Sequence, residues 1–200
     1  MKEKELNYRK KKRFKITTDS SHNLEYSDNL LNQNFNVKQI DKVWASDITY
    51  IWTKEGWLYL CIIIDLCSKK IVGWSVSSLI DTQLLLCAFW MAWHSRNPKK
   101  GLLFHSDRGV QYCSKRFRNV IKSLEIIQSM SRKGNCWDNA CSESFFKTLK
   151  TEWLYDILFI NRKEAKEKIF EYIEVFYNRK RLHSSLCYDT PVEYELKLVA

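Results

Sequence analysis

The chain has 200 residues, 45% of them apolar, with only five Gly and two Pro, which suits one domain with a sizeable core and excludes a low-complexity chain. Thirty-three Lys and Arg against 23 Asp and Glu leave a net charge of +10, pointing to a polyanionic partner, nucleic acid before membrane surface. No apolar run reaches bilayer length and no apolar leader opens the chain, so the sequence reads as soluble and cytosolic, and seven cysteines without a Cys-x-x-Cys or His-x-x-Cys pair read as reduced thiols rather than zinc ligands.

Residues 1–18 carry eight Lys or Arg against two Glu, centred on Lys10, Lys11, Lys12 and Arg13. Such an arm suits DNA phosphates, and equally a solubilising tail. Residues 19–42 are polar and read as an extended linker, packed on the domain through Leu30, Leu31 and Phe35. The division expected is therefore an arm and linker over 1–40 and a core with a C-terminal helical extension over 41–196.

Regular structure is predicted from Val43, where VWASDITYIW is rich in β-branched and aromatic residues. A turn at Lys54-Glu55-Gly56 leads to WLYLCIIIDL, an apolar run of strand length buried on both faces. A third strand covers residues 70–78, and the short connections make an antiparallel meander. Asp81 caps a helix to about His94 that is apolar all round, so it needs sheet on one side and another helix or protomer on the other. A short strand over 101–107, an amphipathic helix over 114–125 and a strand over 126–131 follow. Gly134-Asn135 then turns into a helix capped by Asp138 or Asn139 and running to Trp153. A long amphipathic helix spans 162–180. After the turn near Asp189-Thr190-Pro191 comes one short helix. The fold class is α/β: a mixed five-stranded sheet, three antiparallel strands then two helix-connected ones, flanked by helices.

Three carboxylates stand out. Asp47 sits mid-strand, where an acid is costly to bury unless paired or metal-bound. Asp107 closes the fourth strand, at the kind of strand end where α/β sites collect. Glu143 lies on the helix after Gly134, with Phe146, Lys147 and Lys150 near its face. Asp65, beside Cys67-Ser68-Lys69, reads instead as a turn acid. Close convergence of three acids requires a cation, and oxygen-only ligands suit Mg²⁺.

WASDITYI, HSDRGVQYCS, SMSRKGNCWDNACSESFFKTLKTE and YNRKRLHSSLCYDTPVEYE, in that order, resemble the OrfB half of insertion-sequence transposases built from two overlapping frames, a group similar to retroviral integrases in its catalytic core. The resemblance covers about residues 9–196. It implies an RNase H-like fold and an Asp-Asp-Glu triad of Asp47, Asp107 and Glu143, whose interval of 35 residues between the last two matches the family spacing. It further implies a bacterial, nucleoid-associated enzyme that acts on DNA as a homo-oligomer, with an OrfA-type helix-turn-helix protein as a further partner. Family members usually carry an N-terminal helix-turn-helix, and this chain starts too late to hold all of it.

The chemistry expected is two-metal phosphoryl transfer with Mg²⁺, or Mn²⁺ in its place. Asp47 would be shared between two ions, with Asp107 on one and Glu143 on the other. Lys147 and Lys150 are candidates for holding DNA, Lys150 foremost. Arg108 suits a phosphate or a structural pair. His105 suits DNA, a role orienting Asp107, or simple strand-end packing. Gly109 is expected to supply a positive φ. Asn139 either orders the site or caps its helix. Arg179, Lys180, Arg181 and His183 form a second basic cluster that meets DNA, unless Arg181 and His183 lock the C-terminal segment onto the core. Rival readings are a nuclease on the same fold, a DNA-binding module and a multimerisation fragment.

Overall fold

The computed structural model describes residues 24–154 and 157–199. Lys10, Lys11, Lys12 and Arg13 lie outside them. Five strands form one sheet in the order β3-β2-β1-β4-β5. β1 (Val43–Thr53), β2 (Gly56–Asp65) and β3 (Ile71–Ser77) are the antiparallel meander. β4 (Leu103–Ser106) adds parallel to β1, and β5 (Ile127–Met130) parallel to β4. The mixed sheet read from the sequence is therefore the one observed.

The sheet is packed on both faces, and β2 shows why its run is unbroken. Leu58, Leu60, Ile62 and Ile64 enter one core, while Cys61 and Ile63 enter the other, as the two-residue period of a strand requires. Below lie α1 (Thr82–Arg96), the short α2 (Val110–Cys113) and α3 (Lys115–Ser123). Above lie α4 (Ala140–Thr148) and α5 (Arg162–Phe170), and α6 (Pro191–Val199) closes the chain. Among the described residues no helix is long and apolar enough to cross a membrane.

The Asp81 carboxylate caps α1 by accepting from the Leu84 amide at 2.9 Å. Phe89 is fully buried against Phe104 and Phe117, so α1 is covered by both sheet and helix, leaving Gln83, Cys87 and Met91 open. α1 also presses on β3 at Gly73, where an added Cβ would overlap the Ala88 carbonyl and stand 2.8 Å from the Ala92 nitrogen. Gly73→Ala is expected to cost about 1–3 kcal/mol by overpacking, read as a lower urea midpoint at unchanged slope; a shift below about 0.5 kcal/mol would show that the helix yields freely.

Several local expectations are corrected. The helix over 138–153 is split into a 3-10 turn at Cys136–Asn139, the regular α4, and a widened turn at Leu149–Trp153. The 162–180 helix likewise widens at Glu171–Tyr177. These two widened segments face each other, with Trp153 stacked on Phe176 at 5.1 Å; the extra residue per turn makes room for the rings. The linker packs closely, but Leu31 rather than Leu30 is buried. Both amides are held by the Ser129 hydroxyl, at 3.1 and 2.9 Å, and the Met130 amide donates to the Asp28 carbonyl, so this stretch shields the open side of β5.

Candidate active site

The parallel pairing of β1 and β4 sets the first two acids side by side. Val43 stands opposite Leu103 and Ala45 opposite His105. Continuing that register by two residues brings Asp107, just past the end of β4, beside Asp47, with adjacent strands about 4.8 Å apart. The two acids line one narrow notch with Ile48, Gly109 and Tyr112. The Asp47 carboxylate accepts from the Ile48 amide at 2.8 Å, and that of Asp107 from the Gly109 amide at 2.9 Å.

Gly109 has φ of −61°, so the expectation of a positive φ is corrected. Its lack of a side chain serves a close approach instead. A Cβ there would stand 3.0 Å from the Asp107 carboxylate and 3.1 Å from the Gln111 side chain.

α4 crosses β1 at a fixed register. The Asn139 amide group donates to the Ser46 carbonyl at 3.2 Å, and the Lys150 ammonium to the Thr49 hydroxyl at 2.7 Å. These bonds straddle Asp47, which shares the Thr49 face of the strand. Glu143, between the two anchors, is thereby held over the same stretch of β1. Its side chain stands open to solvent rather than in the notch. Among the described residues no three His, Cys, Asp or Glu side chains are gathered tightly enough to hold a metal ion. The fold thus assembles the Asp47–Asp107 pair and leaves Glu143 on the adjoining helix.

The electrostatics follow from this crowding. Burial pushes the Asp47 carboxyl well above the usual carboxylate range; the charges of Asp107 and Glu143 add to that, against the Ile48 amide and Lys150. Partial desolvation on α4 also raises Glu143, although its side chain still meets solvent. Lys150 is lowered by burial, with Asp47 pulling the other way, and lies 5.0 Å from the Tyr50 ring centroid. A half-buried acid pair that offers only oxygen donors fits a hard divalent cation.

The remaining candidates separate by environment. His105 is fully buried, its two nitrogens bonded to the Ser129 and Ser131 hydroxyls at 2.9 and 3.2 Å, and burial lowers its pKa to about 4. It is a packed strand residue, which corrects its reading as a DNA contact. Arg108 bonds the Ser131 carbonyl at 2.8 Å and lies over the Tyr26 ring. Lys147 and Arg179 are exposed, Arg179 bonding the Glu174 carbonyl. Arg181 forms a two-pronged pair with Glu152 at 2.8 and 2.9 Å, and His183 packs edge-on to Tyr177, so both tie the C-terminal segment to the core. Asp65 is a turn acid, accepting from the Asp41, Cys67 and Ser68 amides.

Asp138 is one of the two cap candidates ahead of α4. It is instead fully buried and accepts from Arg132, Asn29 and Gln33, which hold its carboxyl well below the usual range. The linker thereby braces the loop that leads into α4. Asn139 makes no cap either, its side chain being spent on β1.

Integrase core domain models match residues 38–136 and 143–198. The chain is 48% identical over 167 residues to the transposase for insertion sequence element IS904 of Lactococcus lactis, covering 84% of this chain and 66% of that one. It is 45% identical to the insertion element IS600 uncharacterized 31 kDa protein of Shigella sonnei, covering 98% and 72%. The chain therefore spans about two thirds of the length of these relatives. The catalytic core domain of HTLV-2 integrase in complex with magnesium superposes with a TM-score of 0.57 at 17% identity, over 77% of this chain and 95% of that one. On these matches, laid over the strand order and the paired acids, the chain belongs to the integrase-core family of insertion-sequence transposases.

Proposed function

We propose that this chain is the strand-cutting and strand-joining part of a DNA transposase, a polynucleotidyl transferase that uses Asp47, Asp107 and Glu143. The observation that carries the reading is the register of β1 on β4, which sets Asp47 beside Asp107 under a helix bearing Glu143. Asp47 and Asp107 would hold Mg²⁺, or Mn²⁺ in its place, and Glu143 would complete a second ion's shell by swinging in from α4. The bound ions would supply an activated water or 3′-hydroxyl and a counter-charge for the leaving oxygen.

The protein's own part is position and charge, the larger share of what phosphoryl transfer needs. Asn139 and Lys150 set the height of α4 over β1. Lys150 presents a partly desolvated ammonium next to Asp47, where a phosphate oxygen would meet it. Lys147 and Arg108 extend that positive rim. The substrate is DNA, met in the bacterial cytoplasm at the nucleoid. A homo-oligomer on DNA and an OrfA-type partner belong to the same reading.

A joining assay tests it. With a duplex already cut to expose a 3′-hydroxyl, Mg²⁺ is expected to yield products longer than the substrate strand, and EDTA none. Shortened products alone would favour a nuclease on the same fold; no product with either metal would favour a non-catalytic module.

A further inference from the structure

A groove of about 770 Å³ runs along the flank of α4 turned away from Glu143. Ala140, Ser144 and Thr148, four residues apart, give that flank to the groove. Lys38 and Lys69 enter from the linker and the β2–β3 turn, Arg181 and His183 from the C-terminal segment. Among the described residues that line it there is no Asp or Glu, although the chain has 23.

The charge balance within the groove is uneven. Arg181 is neutralised by Glu152, which stands next to the lining. Lys69 bonds only uncharged partners, chiefly the Leu66 carbonyl at 2.7 Å, and Lys38 is exposed; neither forms an ion pair among the described residues. His183 keeps a buried Nε2 without a hydrogen-bond partner. Ser184 and Ser185 are exposed at the rim, and Tyr188 is 69% exposed. Uncancelled ammonium groups, hydroxyl donors and an open aromatic ring make up the usual equipment for a nucleic-acid strand.

We infer that this groove binds the phosphodiester backbone of the DNA strand that runs on over α4 from the acidic notch. The inference rests on the DNA reading above and adds to it a second contact track. A helix is about 10 Å across and a DNA strand rises about 3.4 Å per nucleotide. The groove therefore meets phosphates roughly three or more nucleotides from the reacting one. Residues 1–18 of the chain carry a net positive charge, the wrong sign to occupy it.

The test places negative charge at positions outside the core and outside the notch: Lys38→Glu with Ser184→Glu and Ser185→Glu. DNA affinity is measured by fluorescence anisotropy across a KCl series, without metal. Each lost phosphate contact lowers the slope of log K against log salt by about 0.9. The triple variant is expected to lose about one from that slope, for Lys38, and more than tenfold in affinity at low salt, since the two added carboxylates repel the backbone. The single exposed changes serve if the triple variant melts early: Lys38→Glu is expected to lose about one from the slope, and Ser185→Glu to weaken binding at low salt by repulsion. Unchanged slope and affinity would overturn the groove. So would an unchanged slope with loss of self-association in sedimentation, which would make it a protein contact. Wild-type protein that joins DNA while the variants bind normally sinks the groove alone; wild-type protein that neither binds nor joins DNA sinks both readings.

Discussion

Asp47→Asn is expected to abolish metal-dependent cutting and joining while making the metal-free protein more stable. The loss should reach at least about 10³-fold, some 4 kcal/mol of barrier, because a neutral amide removes a charge that the notch has no spare group to replace. The gain in stability follows from the raised carboxyl. Burial and the neighbouring acids push Asp47 above its unfolded value, so ionising it is harder in the folded than in the unfolded chain. That penalty is absent below the unfolded pKa, near 3.9, and grows as pH rises toward the folded one. At neutral pH the asparagine escapes it, so the variant is expected to melt above the metal-free wild type. Mg²⁺ should reverse the ranking: it stabilises whichever protein binds it, by mass action, and only the wild type keeps the acid pair. Thermal melts of both proteins with and without Mg²⁺, beside the joining assay, check each half. An Asp47→Asn protein that still joins strands would remove Asp47 from the site. One that is inactive but less stable, and still stabilised by Mg²⁺, would mark it as structural.

The parts of this site that were legible in the sequence are those written in local pattern. The unbroken apolar run of β2 announced a strand buried on both faces, and the order of short connections announced the meander beside two crossover strands. Asp81 before an apolar stretch announced a helix start. The neighbourhood of Asp47 and Asp107 was foreseeable because strand ends gather in such sheets. What stayed hidden was decided by partners distant in the chain. Asp138 carries ordinary capping chemistry, yet Asn29 and Gln33, more than a hundred residues away, claim it. Asn139 is spent on a β1 carbonyl rather than on its own helix. Gly109 looked like a turn glycine because its flanking residues cannot reveal that a carboxylate sits where its Cβ would go. His105 suits a DNA contact or an orienting role in the sequence, which does not say that the Ser129 and Ser131 hydroxyls, on and just past β5, take both its ring nitrogens.

The same blindness hid Arg96, whose loss is expected to be the most damaging change outside the notch. It ends α1 and looks like an ordinary basic residue near a helix C-terminus. In the fold its guanidinium grips Asp41 at 2.8 and 3.1 Å and Glu195 at 2.8 and 2.9 Å, with the side chain only 13% exposed. Glu195 also takes Lys70 and the Ser68 hydroxyl, so linker, β-sheet turn, α1 and α6 meet at one buried cluster. Burial alone would raise the Glu195 carboxyl; the bonds from Arg96 and Lys70 outweigh it and the net shift is downward. Arg96→Met keeps most of the volume but takes the cation from Asp41 and leaves Glu195 with Lys70 alone, which costs about 3–5 kcal/mol, or some 6–20 °C in melting temperature. Because Glu195 is depressed in the folded state, its contribution is present above the unfolded carboxylate pKa and is lost as pH falls through the folded one. The wild type should therefore lose stability on acidification below about pH 4.5, and Arg96→Met should show a flatter acid limb. Adding Glu195→Leu to Arg96→Met should recover part of the loss, since it removes one stranded charge. Urea melts of the three proteins at two pH values measure this. A cost below about 1 kcal/mol for Arg96→Met would mean that water enters the cluster and solvates the acids, and that α6 is held by its apolar face instead.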